Sequence, residues 1–312
     1  MCYSAQALHD YKKFKREFDA AIGIKEYIRI FWDQKTKGSP YKFPKAMLDA
    51  FAGATSGDEG KIHEWIEEWK AEQATAIEQE LFAQKKRLAD AERTLQTKVT
   101  KKAQNDQRIA TDKISKAKLK LSDLRRTEPL DRDSRFFPGN YGTVMVSEDG
   151  KRVVYPMRYL CRPAGKPANY DVRYPGTYNA RRDSLGNYWK DLFGYTHGLM
   201  IVDTFYENVE GEDGANKVLQ FRPKNGEPMY VACLWSRWTD PKGEEPDLLS
   251  FAAITDEPEP EVAAAGHDRT IINIKPEHID AWLNPDPKNM DTLYAIFDDK
   301  RHPYYELVKE AA

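Results

Sequence analysis

The sequence predicts an α+β fold: a mostly antiparallel, barrel-like β-sheet with flanking helices, broken by a long helical, coiled-coil-like insertion. Three observations predict it. Between Gly60 and Pro129 lie 68 residues without a glycine or proline, dominated by Ala, Glu, Lys, Gln, Leu and Arg. From Arg135 onward the chain changes to short β-type runs separated by turn residues. Helical periodicity is scarce in that half, and its clearest helix is Pro276 to Leu283, with the proline in its first turn.

The elements follow in order. Ala5 to Phe31 reads as one or two amphipathic helices with Tyr11, Phe14, Phe18, Ala21 and Ile22 on one stripe. Residues 60–128 then interrupt a single domain spanning 1–312, because neither flanking piece has a clear boundary of its own. Within the insertion Leu81, Leu88 and Leu95 fall seven apart, with Ile77, Ala91 and Val99 near the same face. Ile114, Ala117, Leu121 and Leu124 form a second stripe, and the polar stretch Lys101 to Gln107 suggests a hairpin folding back near Asn105. Glu64 to Glu80 carries six glutamates against Lys70, while Lys98 to Arg126 carries ten Lys or Arg against three Asp, so the two arms are expected to attract each other. A solvated helical arm is the first expectation, and an arm that holds a protein or nucleic-acid partner is the alternative. Downstream, Thr143 to Val146, the turn Glu148-Asp149-Gly150 and Arg152 to Tyr155 form a hairpin, followed by strands in Gly198 to Tyr206, Pro228 to Trp238, Leu248 to Thr255 and Thr270 to Ile274.

Bulk chemistry narrows the class. With a formal net charge of -2 the chain has no overall attraction to nucleic acid, so any such contact must come from a local basic patch. Three widely spaced cysteines, Cys2, Cys161 and Cys233, fit free thiols in a reducing compartment better than a disulfide framework, and no zinc pattern appears. No apolar signal core opens the chain and no run approaches the roughly 20 apolar residues that span a bilayer. The expectation is a cytoplasmic protein without a membrane partner, metal or organic cofactor.

Cys2 is the most informative residue. Once Met1 is removed, the chain begins with an amine of pKa about 8 and a thiol of pKa about 8.5 on neighbouring carbons. Such a 1,2-aminothiol condenses with an aldehyde to a five-membered thiazolidine, which no internal cysteine can do. Three further stretches stand beside it: Tyr178-Asn179-Ala180-Arg181, Asp203-Thr204-Phe205-Tyr206-Glu207 and Gly266-His267-Asp268-Arg269.

Together with Met1-Cys2 and in this order, the four stretches resemble the SOS response-associated peptidase (SRAP) family. The resemblance covers residues 1 to about 30 loosely and about 135 to 283 well, leaving the helical arm outside the usual pattern. Phe136 to Val146, Tyr230 to Trp235 and Lys275 to Leu283 support it. It implies covalent capture of abasic sites in single-stranded DNA, with Cys2 as the nucleophile that forms the thiazolidine, and an associated peptidase activity. It also implies that Glu207 and His267 handle protons, that Asn179 orients the sugar or the amine, and that Arg181 grips a phosphate. Arg182 adjoins it, and Arg158, Arg162 and Arg173, with Lys166, would extend a basic groove in which Tyr159, Tyr170 and Tyr174 are available for base stacking.

The chain departs from the family at several points. Met-Cys-Tyr-Ser stands where Met-Cys-Gly-Arg is usual, so Ser4 replaces an arginine that would contact DNA, and Asn208 rather than tryptophan follows Glu207. Two other classes compete. An N-terminal-nucleophile thiol hydrolase, peptidase or amidotransferase would use Cys2 on an amide, and a non-catalytic DNA-binding scaffold would work through the arm.

Overall fold

The computed structural model describes residues 3–37, 42–211 and 214–308. Met1 and Cys2 therefore lie outside the described residues. In chain order the elements are β1 (Ser4–Ala7), α1 (Tyr11–Phe18), β2 (Ala21–Ile22), α2 (Ile24–Lys37), α3 (Lys45–Asp49), α4 (Gly57–Thr97) and α5 (Lys101–Arg125). The β-rich part follows with β3 (Arg135–Phe136), β4 (Tyr141–Glu148), β5 (Lys151–Tyr159), α6 (Tyr170–Arg173), β6 (Asn179–Arg181) and β7 (His197–Glu210). It closes with β8 (Asn216–Pro223), β9 (Met229–Trp238), β10 (Leu248–Asp256), α7 (Pro260–Ala264), β11 (Thr270–Ile271), α8 (Ile279–Leu283), α9 (Met290–Asp298) and β12 (Tyr305–Val308). The chain divides into two compact units, one of Met1–Gln34, Gly38–Ala52 and Leu130–Ala312, the other of Lys35–Lys37 and Gly53–Pro129.

The second unit is an antiparallel helical hairpin. Lys98 and Thr100 are extended, and the Thr100 hydroxyl accepts from the Ala103 amide at 3.1 Å, capping α5. The fold-back is therefore at Lys98–Thr100, ahead of the expected Asn105. The polar stretch Lys101 to Gln107 continues the helix because Lys, Gln and Ala are good helix formers once a cap starts them. The buried positions include Gln84, Ala91, Ala103, Ala110, Ile114 and Ala117, whereas Val99 is exposed at the turn. Lys113–Glu80 and Arg125–Glu78 pair in the expected sense between the helices, and Arg87–Asp106 pairs in the opposite one.

In the first unit five strands close on themselves in the order β10, β5, β4, β7, β9 and back to β10. This is the expected barrel of an α+β fold. Only the β5–β10 contact is parallel; the other four are antiparallel. The β4–β5 hairpin turns at Asp149 and Gly150, both at positive φ (50° and 73°), as a tight turn matched to strand twist requires. Val144, Val146, Met157, Tyr159, Met200, Val231, Cys233, Leu249 and Phe251 fill the core from alternate strand positions, each at most 2 % exposed. Among the described residues no helix is long and apolar enough to cross a membrane.

Outside the ring, β1 lies between β3 and β7, β8 extends β7, and β6 runs parallel to β10. Ser4–Ala7 is a strand rather than part of the expected N-terminal helix. Pairing on both sides overrides the weak helical preference of Ser-Ala-Gln-Ala, and Ala5 and Ala7 bury their methyls in the core. Tyr11 and Phe14 of the expected stripe are buried from α1.

Strand β4 meets β7 at Met145 and Leu199. A Cβ added at the neighbouring Gly198 would stand 2.7 Å from Val144 Cγ1, so only glycine lets these strands approach. Gly198→Ala is expected to cost about 1–3 kcal/mol through overpacking. Thermal denaturation checks it, and Val144→Ala in the same chain should restore part of the loss by vacating the overlapped space.

Candidate functional site

The start of the described chain and the end of β7 are side by side. The Tyr3 amide donates to the Tyr206 carbonyl at 3.0 Å, and Ser4, Ala5 and Gln6 pair with Tyr206, Phe205 and Thr204. Between Ala7↔Val202 and Gln6↔Thr204 the register shifts, leaving Asp203 without an opposite residue. This bulge changes the phase of the strand. Met200 and Val202 face the core before it, and Phe205 does so after it. Glu207, two residues beyond Phe205, shares that inward face and is fully buried.

His267 meets Glu207 from another direction. Helix α7 ends at Ala264 with Ala265 as its C-cap; Gly266 follows with a φ of +91°, suited to the position after a C-cap, and the His267 amide donates to the Val262 carbonyl at 3.2 Å. The reversal places His267 Nε2 3.3 Å from Glu207 Oε2. Its Nδ1 sits against the Arg269 backbone, 3.3 Å from the amide and 3.0 Å from the carbonyl. A neutral ring that donates from Nε2 to the carboxylate would accept from the Arg269 amide. A ring that donates from Nδ1 to the Arg269 carbonyl would instead accept a proton from Glu207.

Burial raises the Glu207 carboxyl well above its ordinary value and lowers the His267 imidazole. Both neutral forms are favoured, which suits a pair that passes one proton between a substrate and itself near neutral pH. Two other histidines contrast with this. His9 and His197 are buried against backbone carbonyls with pKa values lowered to about 4 and about 3, neutral parts of the core.

Asn179 lies on β6 opposite Ala253 of β10. Its Oδ1 accepts from the Tyr159 hydroxyl at 3.3 Å, and its buried Nδ2 has no protein partner among the described residues. Tyr159 is fully buried and Tyr170 nearly so, which corrects the expectation that they are available for stacking; Tyr174 is exposed. Tyr159 packs on Phe251 and Phe136, and its hydroxyl is directed to Asn179.

The arginines separate into groups. Arg181 is partly exposed, pairs with Asp183 at 2.8 Å, and lines a concavity of about 370 Å³ with Thr255, Asp256, Arg269 and Tyr294. Arg182 lines it too but is bound to Asp256 and Asp298 and packs on Tyr294 and Phe297. Arg158 and Arg162 both meet the buried Asp171 at 2.7 Å, with Arg162 4.4 Å above the Trp238 ring. Arg173 is exposed on α6. The structure thus joins Glu207 to His267 and Arg181 to Arg269, and sets Arg158 and Arg162 around Asp171. Sequence reasoning missed Arg135, which packs on Tyr206 and touches Ser4. A lone arginine at a strand start carries no signal until the strand's neighbours are known. Among the described residues no group of three His, Cys, Asp or Glu side chains is placed to hold a metal ion.

The family model of the SOS response associated peptidases (SRAP) matches residues 93–310, more than half of the chain. The chain belongs to the SRAP family. Membership supports a peptidase-like enzyme of the SOS response. None of the curated proteins compared with this SRAP chain matches it. Three crystal structures from a structural genomics consortium are similar to it. One is a Bordetella bronchiseptica protein at 19 % identity with a TM-score of 0.46, over 56 % of this chain and 87 % of that one. Another is a Bacteroides thetaiotaomicron protein at 15 % identity and 0.46, over 56 % and 77 %. The third is a phage-related protein of B. bronchiseptica at 19 % and 0.41, over 56 % and 81 %.

The raised Glu207 carboxyl makes a stability prediction for this SRAP protein. Because the folded group titrates above its ordinary value of 4.5, its contribution is fully present below that pH and is lost as pH rises through the folded value. Glu207→Gln removes that titration. The melting temperature of Glu207→Gln should therefore gain on the wild type between pH 4 and pH 8, by about 2 °C or more. A gap that stays constant with pH would show that the folded carboxylate is held ionised at no cost.

Proposed function

We propose that this protein captures abasic sites in single-stranded DNA covalently through Cys2, after hydrolysis of the Met1–Cys2 bond. The observation that carries the reading is the pairing of Tyr3 with Tyr206, which sets the residue after Cys2 beside the residue before Glu207. Consecutive Cα atoms are about 3.8 Å apart, and the nearness of Tyr3 to the end of β7 supports a reaction at Cys2 that uses the Glu207–His267 pair. The other cysteines offer no competition: Cys161 and Cys233 are buried, and burial pushes the Cys161 thiol up to about 12.

The chemistry is a condensation that releases one water. The Cys2 amine adds to the aldehyde carbon of the ring-opened abasic sugar, and the carbinolamine loses water to give an imine. The thiol sulfur then attacks the imine carbon, its proton goes to the nitrogen, and the five-membered ring closes. Glu207, neutral more readily than an ordinary carboxyl, donates the proton that expels water and takes back the one the nitrogen gives up as the imine forms. His267 handles the proton of sugar ring opening. Asn179 offers its Nδ2 hydrogens to a sugar oxygen, and Arg181 meets a phosphate.

The family's printed description favours a second reading, in which Cys2 attacks an amide carbonyl as a thiol peptidase. Intact-mass spectrometry before and after incubation with an oligonucleotide bearing one abasic site separates the two. The expected result is loss of Met1, an adduct equal to protein plus DNA minus one water, no adduct with Cys2→Ala, and a rate about 10²-fold lower with His267→Ala. Met1-free protein that forms no adduct transfers the assignment to amide hydrolysis, and retained Met1 removes Cys2 as the reactive end. The helical arm is given no part in capture. Replacing Gly57–Arg125 with a short Gly-Ser linker should leave the adduct yield unchanged in the same assay.

A further inference from the structure

We propose that Arg135 is a phosphate-binding residue for the DNA strand captured at the N-terminal end of the chain. The inference rests on the single-stranded-DNA reading above. Arg135 sits on β3 opposite Gln6 of β1, and its Nε donates to the Ser4 hydroxyl at 3.0 Å. Its guanidinium lies 3.5 Å above the Tyr206 ring and 4.9 Å from that of Phe137, so its plane is held from two sides. The Tyr3 ring meets Phe137 edge-on at 5.7 Å and extends this wall toward the start of the chain.

Arg135 differs from four of the candidate arginines in having no anion beside it among the described residues. Arg158, Arg162, Arg181 and Arg182 each meet a carboxylate. Arg135 pairs with none among the described residues, and its two terminal nitrogens have no protein acceptor there. Partial burial lowers its pKa, and Tyr206 and Tyr3 beside it offset only part of that cost. A guanidinium with a fixed plane, one nitrogen satisfied and two unengaged, presents the fork that binds a phosphate oxygen pair. Two residues beyond Tyr206 on the same face, the buried Asn208 Oδ1 also lacks a partner among the described residues and could accept from a bound strand.

The location fits the chemistry. Ser4 pairs with Tyr206, so the Ser4 hydroxyl that Arg135 touches stands two residues from Cys2 in sequence, and Arg135 lies on the face of β7 opposite Glu207. A strand whose abasic sugar reaches Cys2 would pass a neighbouring phosphate across this arginine. In this chain Ser4 carries no charge, and Arg135, brought in from β3, supplies the cation.

The test is binding of an undamaged single-stranded oligonucleotide by fluorescence anisotropy across a series of salt concentrations, for wild type, Arg135→Gln and Arg135→Lys. Arg135→Gln should bind about tenfold more weakly, with the slope of log K against log salt reduced by about 0.7, the share of one phosphate contact. Arg135→Lys keeps the charge but loses the planar fork, so it should keep the slope while losing part of the affinity. A folded Arg135→Gln with wild-type affinity and slope overturns the assignment. If Arg135→Gln does not fold, Arg135→Lys decides: weaker binding at an unchanged slope supports the phosphate contact, and wild-type affinity with wild-type slope overturns it. Wild-type protein that binds no single-stranded DNA overturns the DNA reading itself and this inference with it.

Discussion

Strand β7 is the constraint on which the rest of the first unit depends. Its fourteen residues pair with β4 and β9 to close the barrel, with β8 to extend it, and with β1 to anchor the start of the chain. One strand can serve four neighbours only if its faces change role along its length. The bulge at Asp203 makes that change. Before it, Met200 and Val202 point into the core; after it, Phe205 and Glu207 do. Without the extra residue, strict alternation would turn Tyr206 inward and Glu207 out.

Burying Glu207 works against folding and toward chemistry. A carboxyl in the interior loses hydration that its neighbours restore only in part, and burial raises its pKa well above the ordinary value. His267 is held by a glycine-capped helix end, so its orientation comes from backbone geometry. Both groups therefore occupy positions determined by well-packed elements, which is how a proton-transfer pair keeps its geometry.

The two units differ in what secures them. The barrel has interdigitated apolar side chains from every strand, while the hairpin packs through alanines and a few larger residues, with charges covering its outside. Small residues let helices approach closely but bury little area each, so the hairpin draws more of its stability from intrinsic helix propensity. Its sequence is accordingly readable at the level of composition, and the turn is the part that composition misplaces. A single threonine cap at Thr100 outweighs the polarity of the residues that follow it.

Much of the barrel is legible in the amino-acid order alone. Asp149-Gly150 announces its turn, and the apolar runs of β7, β9 and β10 announce their strands, because the local chemistry of a few adjacent residues is enough. The motifs holding Asn179, Arg181, Glu207 and His267 are likewise visible as residue types in order. Ser4–Ala7 is not legible as a strand, since its pairing partners lie about 130 and 200 residues away in the chain. Nor are the bulge that turns Glu207 inward, the shared Asp171 that engages Arg158 and Arg162, or the aromatic pair that holds Arg135. Local propensity and pattern suffice to state which chemical groups the chain carries and which of its segments are helix or strand. Which groups meet, which charges are neutralised and which carboxyl is buried depend on register and on pairing between distant segments, and these exist only once the chain has folded.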